Sequence, residues 1–337
     1  TGNFTTSGTG GNIGIGVYTM QSISTGYSNT GLGHYALSAI TTGYNNTGLG
    51  DRSLQLLLGG NYNVGTGNGS GRNIRTGSNN TLVGAYTGYG IEGSTDYSYN
   101  TFIGSRSGYS NLTASNLTGV GYQSLYLNTT GTGLVAVGYQ AGRQNVKGTS
   151  NTYVGYQAGY SGTTVVGSIT ITNGGSGYTA GNLIVDNTGT GGSGLAGTYT
   201  VDGAGTVNGI TITNNGSGYN SAPTVTPQPG GSGAVLTPVL SSGSYNSALG
   251  YNAFYSNTTG RENNAFGYNA LYSNTTGIYN NAFGLSSLRS NTTGNQNSAF
   301  GHDTLYYTTG SNNSALGYGA GRNNTSGSYN IYIGSES

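Results

Sequence analysis

The sequence predicts an all-β fold, a parallel β-roll or β-solenoid of about 17-residue coils interrupted by a small all-β module. Three observations predict it. One glycine recurs at a nearly constant interval of 17 residues; the chain holds 67 Gly and 30 Tyr among 337 residues with only 5% charged; and no segment keeps a helical pattern. Such glycine usage belongs to fibrous or repetitive chains rather than to ordinary enzymes, so the search for repeats comes first.

The clock glycines are Gly16, Gly33, Gly50, Gly84, Gly104, Gly121, Gly138 and Gly155, then Gly250, Gly267, Gly284, Gly301, Gly317 and Gly334. The step of 34 from Gly50 to Gly84 is two periods with a degenerate copy near Gly67; the step to Gly104 carries three extra residues and the step to Gly317 lacks one. These are loop-sized insertions and deletions.

The consensus is clearest in Asn-Ser-Ala-Leu-Gly-Tyr-Asn-Ala-Phe-Tyr-Ser-Asn-Thr-Thr-Gly from Asn246 to Gly260, which returns from Asn263 and from Asn280. The residue before each clock glycine is apolar, as at Leu32, Val120, Leu249 and Phe283, and a small residue stands three positions after many of them, as at Ala36, Ser124 and Ala253. Gly, β-branched and aromatic residues with recurrent Asn-Thr-Thr-Gly cannot sustain a helix in this length; two short strands joined by two tight turns are expected. One repeat is then one coil. Stacking coils lets each strand pair with its neighbours and satisfies backbone groups that a lone coil exposes, so stability is collective.

Strand alternation places Ala248, Gly250 and Asn252 on one face and Leu249, Tyr251 and Ala253 on the other. A coil this small encloses only a thin core of Ala, Gly and one larger side chain, so the second apolar stripe is expected to pack on other copies of the chain, with a closed trimer as the favoured solution.

Between Gly167 and about Ser242 the period stops, and Ile169-Thr-Ile-Thr-Asn-Gly-Gly-Ser-Gly-Tyr178 returns as Ile210-Thr-Ile-Thr-Asn-Asn-Gly-Ser-Gly-Tyr219. The Ile/Val/Thr alternation and Gly-Ser-Gly turns read as short antiparallel strands, and Pro223, Pro227, Pro229 and Pro238 all fall here. The expected organisation is a repeat region over 1–167, an inserted module over 168–242 that projects from the shaft, and a second repeat region over 243–337.

The repeats over residues 12–160 and 244–337 resemble the head repeats of trimeric autotransporter adhesins, which share the theme Asn-x-Ala-φ-Gly-x-x-Ala in a left-handed parallel β-roll, and more closely the repeats of phage tail-fibre proteins. This chain's coil is about three residues longer than the adhesin repeat. The inserted segment is similar to Gly-Ser-Gly-Tyr modules of marine phage structural proteins. The resemblance implies a homotrimeric, extracellular fibre on a virion or cell surface, whose partners are itself, other fibre or baseplate subunits, and a host cell-surface glycan or protein. A bacterial or environmental adhesin or fibril subunit built from the same repeat, sugar-coated or not, is the alternative.

Chemistry is sparse. Nine Lys/Arg against eight Asp/Glu leave a net charge of +1, no footprint for nucleic acid. With no Cys there is neither a disulfide framework nor a thiolate metal site. The strongest apolar stretch, Leu54 to Leu58, is too short for membrane insertion. The chain starts at Thr1 within repeat-like sequence, which reads as a mature fragment.

His34 and His302 stand just after clock glycines, where other copies carry Tyr, and read as repeat variants without metal or triad partners. Gly65-Thr-Gly-Asn-Gly-Ser-Gly71 lacks the lysine sequel of a phosphate cradle. No catalytic, metal or cofactor residues are assigned, and no enzyme is expected. The tyrosines suit ladders between coils and chains, or stacking against sugars. Sequons at Asn45, Asn79, Asn111, Asn116, Asn128, Asn257, Asn274, Asn291 and Asn324 largely coincide with the Asn-Thr turn, which explains them by turn chemistry; with the right host machinery they would also accept glycans.

Overall fold

The computed structural model describes residues 4–5, 10–93, 95–162, 164–219 and 221–336. Strands and turns form all of its regular structure, with no helix among the described residues. The chain divides into two compact units, Thr1–Gly162 with Ser244–Ser337, and Thr163–Gly243. The inserted unit thus begins ahead of residue 168, because Val165 and Val166 already open its first strand and are buried.

The first unit is a parallel β-solenoid. One three-residue strand per coil, from Ile13–Ile15 to Ile331–Ile333, joins a 16-stranded sheet in which each coil's strand pairs with the next. The neighbours are in register: Ala248 opposes Ala265, which opposes Ala282. Only the short Phe4–Thr5 strand pairs antiparallel, with Ile13–Ile15. The degenerate copy is structurally regular, since Val64–Thr66 takes its place in the sheet and Gly67 has φ +123° like the other clock glycines. Thr152–Val154 pairs directly with Ser247–Leu249, so Gly155 and Gly250 lie on consecutive coils although 95 residues separate Asn151 from Asn246.

The expected second strand is absent from the described coils. After the clock glycine, left-handed residues alternate with ordinary ones, as at Tyr35 (φ 57°) and Leu37 (φ 51°), or Asn252 (φ 51°) and Phe254 (φ 56°). This alternation aims successive amides at opposite neighbours: Tyr35 N donates to Val17 O at 2.9 Å in the coil before, and Leu37 N to Ser53 O at 3.0 Å in the coil after. The turn half of the coil therefore satisfies its backbone without extended strand. The same twist corrects the facing of the consensus. Ala253 is fully buried with Ala248, whereas Leu249 and Tyr251 are exposed, because the strand ends at Leu249 and the left-handed Asn252 reverses the alternation.

The clock glycines run along one edge of the stack. A Cβ on Gly16 would stand 2.5 Å from the carbonyl oxygen of Gly33, and one on Gly267 2.5 Å from that of Gly284. Their φ values lie between +121° and +143°, a region that side chains rarely enter.

In most coils one large side chain fills the core, supplied from one of two places. Where the strand centre is Gly31, Gly48, Ala265 or Ala282, the left-handed site supplies Leu37, Leu54, Leu271 or Leu288. Where the strand centre is Phe102 or Tyr153, the left-handed site of the same coil is Gly108 or Gly159, and a Cβ there would collide with that ring. The coils of Gly67, Gly138 and Gly317 take it from neither: their strand centres are Gly65, Ala136 and Ala315, and their left-handed sites Gly71, Gly142 and Gly321 lie against Leu82, Tyr153 and Tyr332 of the next coil. The three residues added before Gly104 fall in the coil of Gly84, where Thr95 bridges Ile74 and its hydroxyl bonds the Ile91 backbone at 2.8 Å, while Tyr97 fills the core.

The second unit is antiparallel, with strands of up to 12 residues rather than short ones. Its six strands are Val165–Ser176, Gly181–Asp186, Ser193–Val201, Val207–Ser217, Thr224–Pro227 and Ser232–Ser241. The first and last pair with each other, as do the third and fourth, and the second pairs with the fifth across the middle. The duplicated sequence thus builds two three-stranded halves related by a pseudo-two-fold, each half lending its long strand to the other. The paired tyrosines take matching roles: Tyr178 Oη accepts from Ala234 N and Tyr219 Oη from Leu195 N. The Gly-Ser-Gly stretches lie at the ends of these strands, with left-handed Gly175 and Gly216 each donating to an Asn side chain two residues before.

Candidate assembly face

An amide ladder holds the strand corner of most coils. Four residues before the clock glycine, buried Asn29, Asn46 and Asn63 each offer Oδ1 to the backbone amide and Nδ2 of the next coil's Asn, and Asn80 offers its Oδ1 to the amide of Asn100. All four donate Nδ2 across their own coil, as from Asn46 to Gly60 O at 2.8 Å. The ladder breaks at Leu117 and Leu134 and resumes from Asn151 through Asn246 to Asn330. The Asn was visible in the consensus; its burial at 0–3% and its role were not.

With the strand centre turned inward, the residues flanking the clock glycine face outward. Leu32, Leu249, Phe300 and Leu316 are 48%, 48%, 44% and 57% exposed. Phe266, Phe283 and Phe300 stack at 4.9 Å, and beside them Tyr122, Tyr139, Tyr156, Tyr251 and Tyr268 form a continuous stack at 4.8–5.4 Å. The result is a flat apolar band along the strands, interrupted by few charges. His34 belongs to the same row: its Nδ1 lies 3.0 Å from Asp51 Oδ1, whose other oxygen accepts from Asn68 Nδ2. His302 also lies in this row, 5.1 Å from the ring of Tyr318. Both histidines are rungs of a ladder, with no metal-ligating cluster among the described residues.

A second tyrosine ladder between coils runs five residues after the clock glycine, a position that the sequence expectation of such ladders does not single out. Tyr89, Tyr109 and Tyr126 stack at 5.3 and 5.1 Å, then the Arg143 guanidinium continues the stack between Tyr126 and Tyr160 at 5.1 and 5.7 Å. Tyr160, Tyr255 and Tyr272 follow, and Arg289 is inserted between Tyr272 and Tyr306. A flat guanidinium substitutes for a ring here because it presents the same planar surface and adds cation–π attraction. Partial burial, and then the neighbouring tyrosines, push the Tyr109 and Tyr255 phenols above their ordinary range. The regular spacing of Tyr and Arg at this position was the available signal in the sequence.

The sequons sort into two groups. Asn111, Asn128, Asn257, Asn274 and Asn291 are buried to within 2%, and each donates Nδ2 to the carbonyl three residues on, as Asn257 does to Gly260 at 3.0 Å. Those amides close the turn and have no room for a sugar. Asn324 makes the same bond to Gly327 while half-buried. Asn45, Asn79 and Asn116 instead occupy an exposed left-handed corner. No helix among the described residues is long and apolar enough to cross a membrane.

No family model matches this sequence, and no curated protein or solved structure matches it.

Proposed function

We propose that this chain is a non-enzymatic structural and adhesive fibre protein, a tail-fibre shaft or receptor-binding segment of a phage displayed outside the cell, in which three copies lie parallel and in register. The observation that carries this reading is the exposed apolar band flanking the clock glycines, which runs from coil to coil without a covering element among the described residues of its own unit. A contiguous band of this kind exceeds what a monomer ordinarily leaves in water.

Its occupant must repeat at the interval of the coils, about 4.8 Å. A second copy of the same chain has that period throughout, and cyclic closure lets every copy bury the same face. Low net charge removes the repulsion that would oppose such side-by-side packing. The resemblance of the repeats to phage fibres and adhesin heads supports the same arrangement.

Light scattering in dilute native buffer tests it. A mass about three times 34.0 kDa is expected, and replacing Phe283 by Asp should shift the population toward monomer. A stable, soluble 34.0 kDa species of the parent chain would overturn the trimer.

A further inference from the structure

One row of tyrosines differs from the ladders. Five residues before the clock glycine each coil turns a corner in the left-handed region, and this position holds Tyr62, Asn79, Tyr99 and Asn116 in successive coils (φ 56–60°). It holds Tyr245, Glu262, Tyr279 and Gln296 in a later set (φ 56–59°). Within each of these two sets tyrosine falls on every second coil, with an amide or carboxylate side chain between; outside them the corner holds Ser28, Asn45, Gly133, Ser150, Asn312 and Tyr329.

Asn is the residue that suits such a corner, whereas a bulky side chain there carries backbone strain. The left-handed backbone is held by amide bonds to the coil before, as from Tyr99 N to Ser78 O at 3.0 Å and Tyr245 N to Thr149 O at 3.0 Å. Any residue at this corner would make them, so the ring itself is not what the corner requires. Tyr62, Tyr99 and Tyr245 are 52%, 63% and 62% exposed, among the most open rings of the molecule, while Tyr279, at 42%, is as exposed as a ladder tyrosine such as Tyr156 and differs from it in having no ring stacked on it. No described ring stacks on Tyr99, Tyr245 or Tyr279; only Tyr62 meets another ring, Tyr44, edge-on. In the two ladders the ring faces are consumed by the neighbouring rungs, so only edges reach solvent. The corner row is where aromatic faces stay available to a ligand.

Two coils advance about 10 Å along the stack. An extended, two-fold β-linked polysaccharide of the cellulose or chitin type repeats every second sugar over nearly the same length. Lying along the corner, such a chain meets a tyrosine with the same face of each second sugar, and the intervening Asn79, Asn116, Glu262 or Gln296 meets the hydroxyl edge of the sugar between. Coiled α-linked glucans do not present sugars on that interval.

We propose that the left-handed corner is a binding track for extended β-linked polysaccharide, with Tyr62 and Tyr99 as platforms of one segment and Tyr245 and Tyr279 of another. The proposal rests on the reading of the solenoid as an outward-facing fibre and names what that fibre grips.

Affinity electrophoresis of the full chain through gels containing hydroxyethyl cellulose, with soluble starch as the control polymer, tests it. Cellulose gels should retard the parent chain and starch gels should not. Tyr→Asn is the informative substitution, since Asn already occupies this corner in Asn45, Asn79 and Asn116 and should not disturb folding. Replacing Tyr62 and Tyr99, or Tyr245 and Tyr279, by Asn should weaken retardation by that segment about tenfold, and replacing all four should abolish it. Tyr109→Ala, in the second ladder and outside the proposed assembly band, should leave retardation unchanged. Absence of retardation of the parent chain, equal retardation by starch, or full retardation of the fourfold Tyr→Asn variant would overturn the track. Mass by light scattering, run on each variant, separates this from failure of the assembled fibre: a trimer without retardation rejects the track alone, and a monomer that is still retarded rejects the trimer alone.

Discussion

Exchanging the source of the core side chain within one coil probes the packing rule most directly. In the coil of Gly155, Tyr153 is 2% exposed and its ring fills the space over Gly159, where a Cβ would fall on the ring carbons. Tyr153→Ala should cost about 3–5 kcal/mol through the cavity it leaves. Gly159→Leu alone should cost about 3 kcal/mol by overpacking, since the ring has no free volume into which to move. The double variant reproduces the coil of Gly267, where Ala265 at the strand centre is paired with Leu271 at φ 49°. If the two changes were independent, the double variant would lose about 6–8 kcal/mol. Because the Leu occupies what the Tyr vacates, it should instead stay within about 3 kcal/mol of the parent, a coupling of about 3 kcal/mol or more. Urea unfolding at one fixed protein concentration gives the global value, and hydrogen exchange at the Gly159 amide, which donates to Ala253 O at 2.9 Å, gives the local one. A double variant whose loss equals the sum of the single losses would refute the packing rule.

Three further outcomes follow from the same coil geometry. Gly267→Ala adds about 1–3 kcal/mol of backbone strain at φ +143°, before the new carbon meets Gly284 O, and should lower the unfolding midpoint more than Gly203→Ala, where the space is open. Asn280→Asp loses the amide donor to Gly294 O at 2.8 Å and buries a carboxylate, so at neutral pH it should be several kcal/mol less stable than Asn280→Leu, which copies Leu117 and Leu134; acidification that protonates the Asp should recover part of the loss, and equal stability of the two variants would discount the ladder. Burial pushes the phenols of Tyr97 and Tyr153 far above the ordinary 10.0, so the neutral form belongs to the folded state: their contribution is intact below about pH 10 and falls as pH rises beyond it, by up to about 1.4 kcal/mol per pH unit for each. Alkaline unfolding curves of Tyr97→Phe and Tyr153→Phe should be correspondingly flatter, and slopes identical to the parent would contradict the burial of these hydroxyls.

The sequence by itself determined the coil, its length and its stacking, because a solenoid writes its period into the chain: each clock glycine must lie against the next coil's carbonyl, and any residue with a Cβ would collide there. It also determined that the Asn-Thr-Thr-Gly segments are turns, since Asn and Gly at fixed spacing close them locally, as Asn257 and Gly260 do. The duplication of Ile169–Tyr178 was legible, but the exchange of long strands between its two halves was not, because which copy pairs with which depends on the whole sheet. Only the tertiary structure decided which way side chains face after the clock glycine. Strand alternation would have sent Ala253 outward with Leu249; a left-handed Asn252 turned it inward, and left-handed conformations of Leu, Gln or Tyr have no mark in composition because inter-coil hydrogen bonds impose them. The same holds for the tyrosines. Their number was plain from the chain, but whether a ring stacks, as Tyr156 does, or stands with open faces, as Tyr99 does, depends on the residue one coil away, and that neighbour exists only once the coils are stacked.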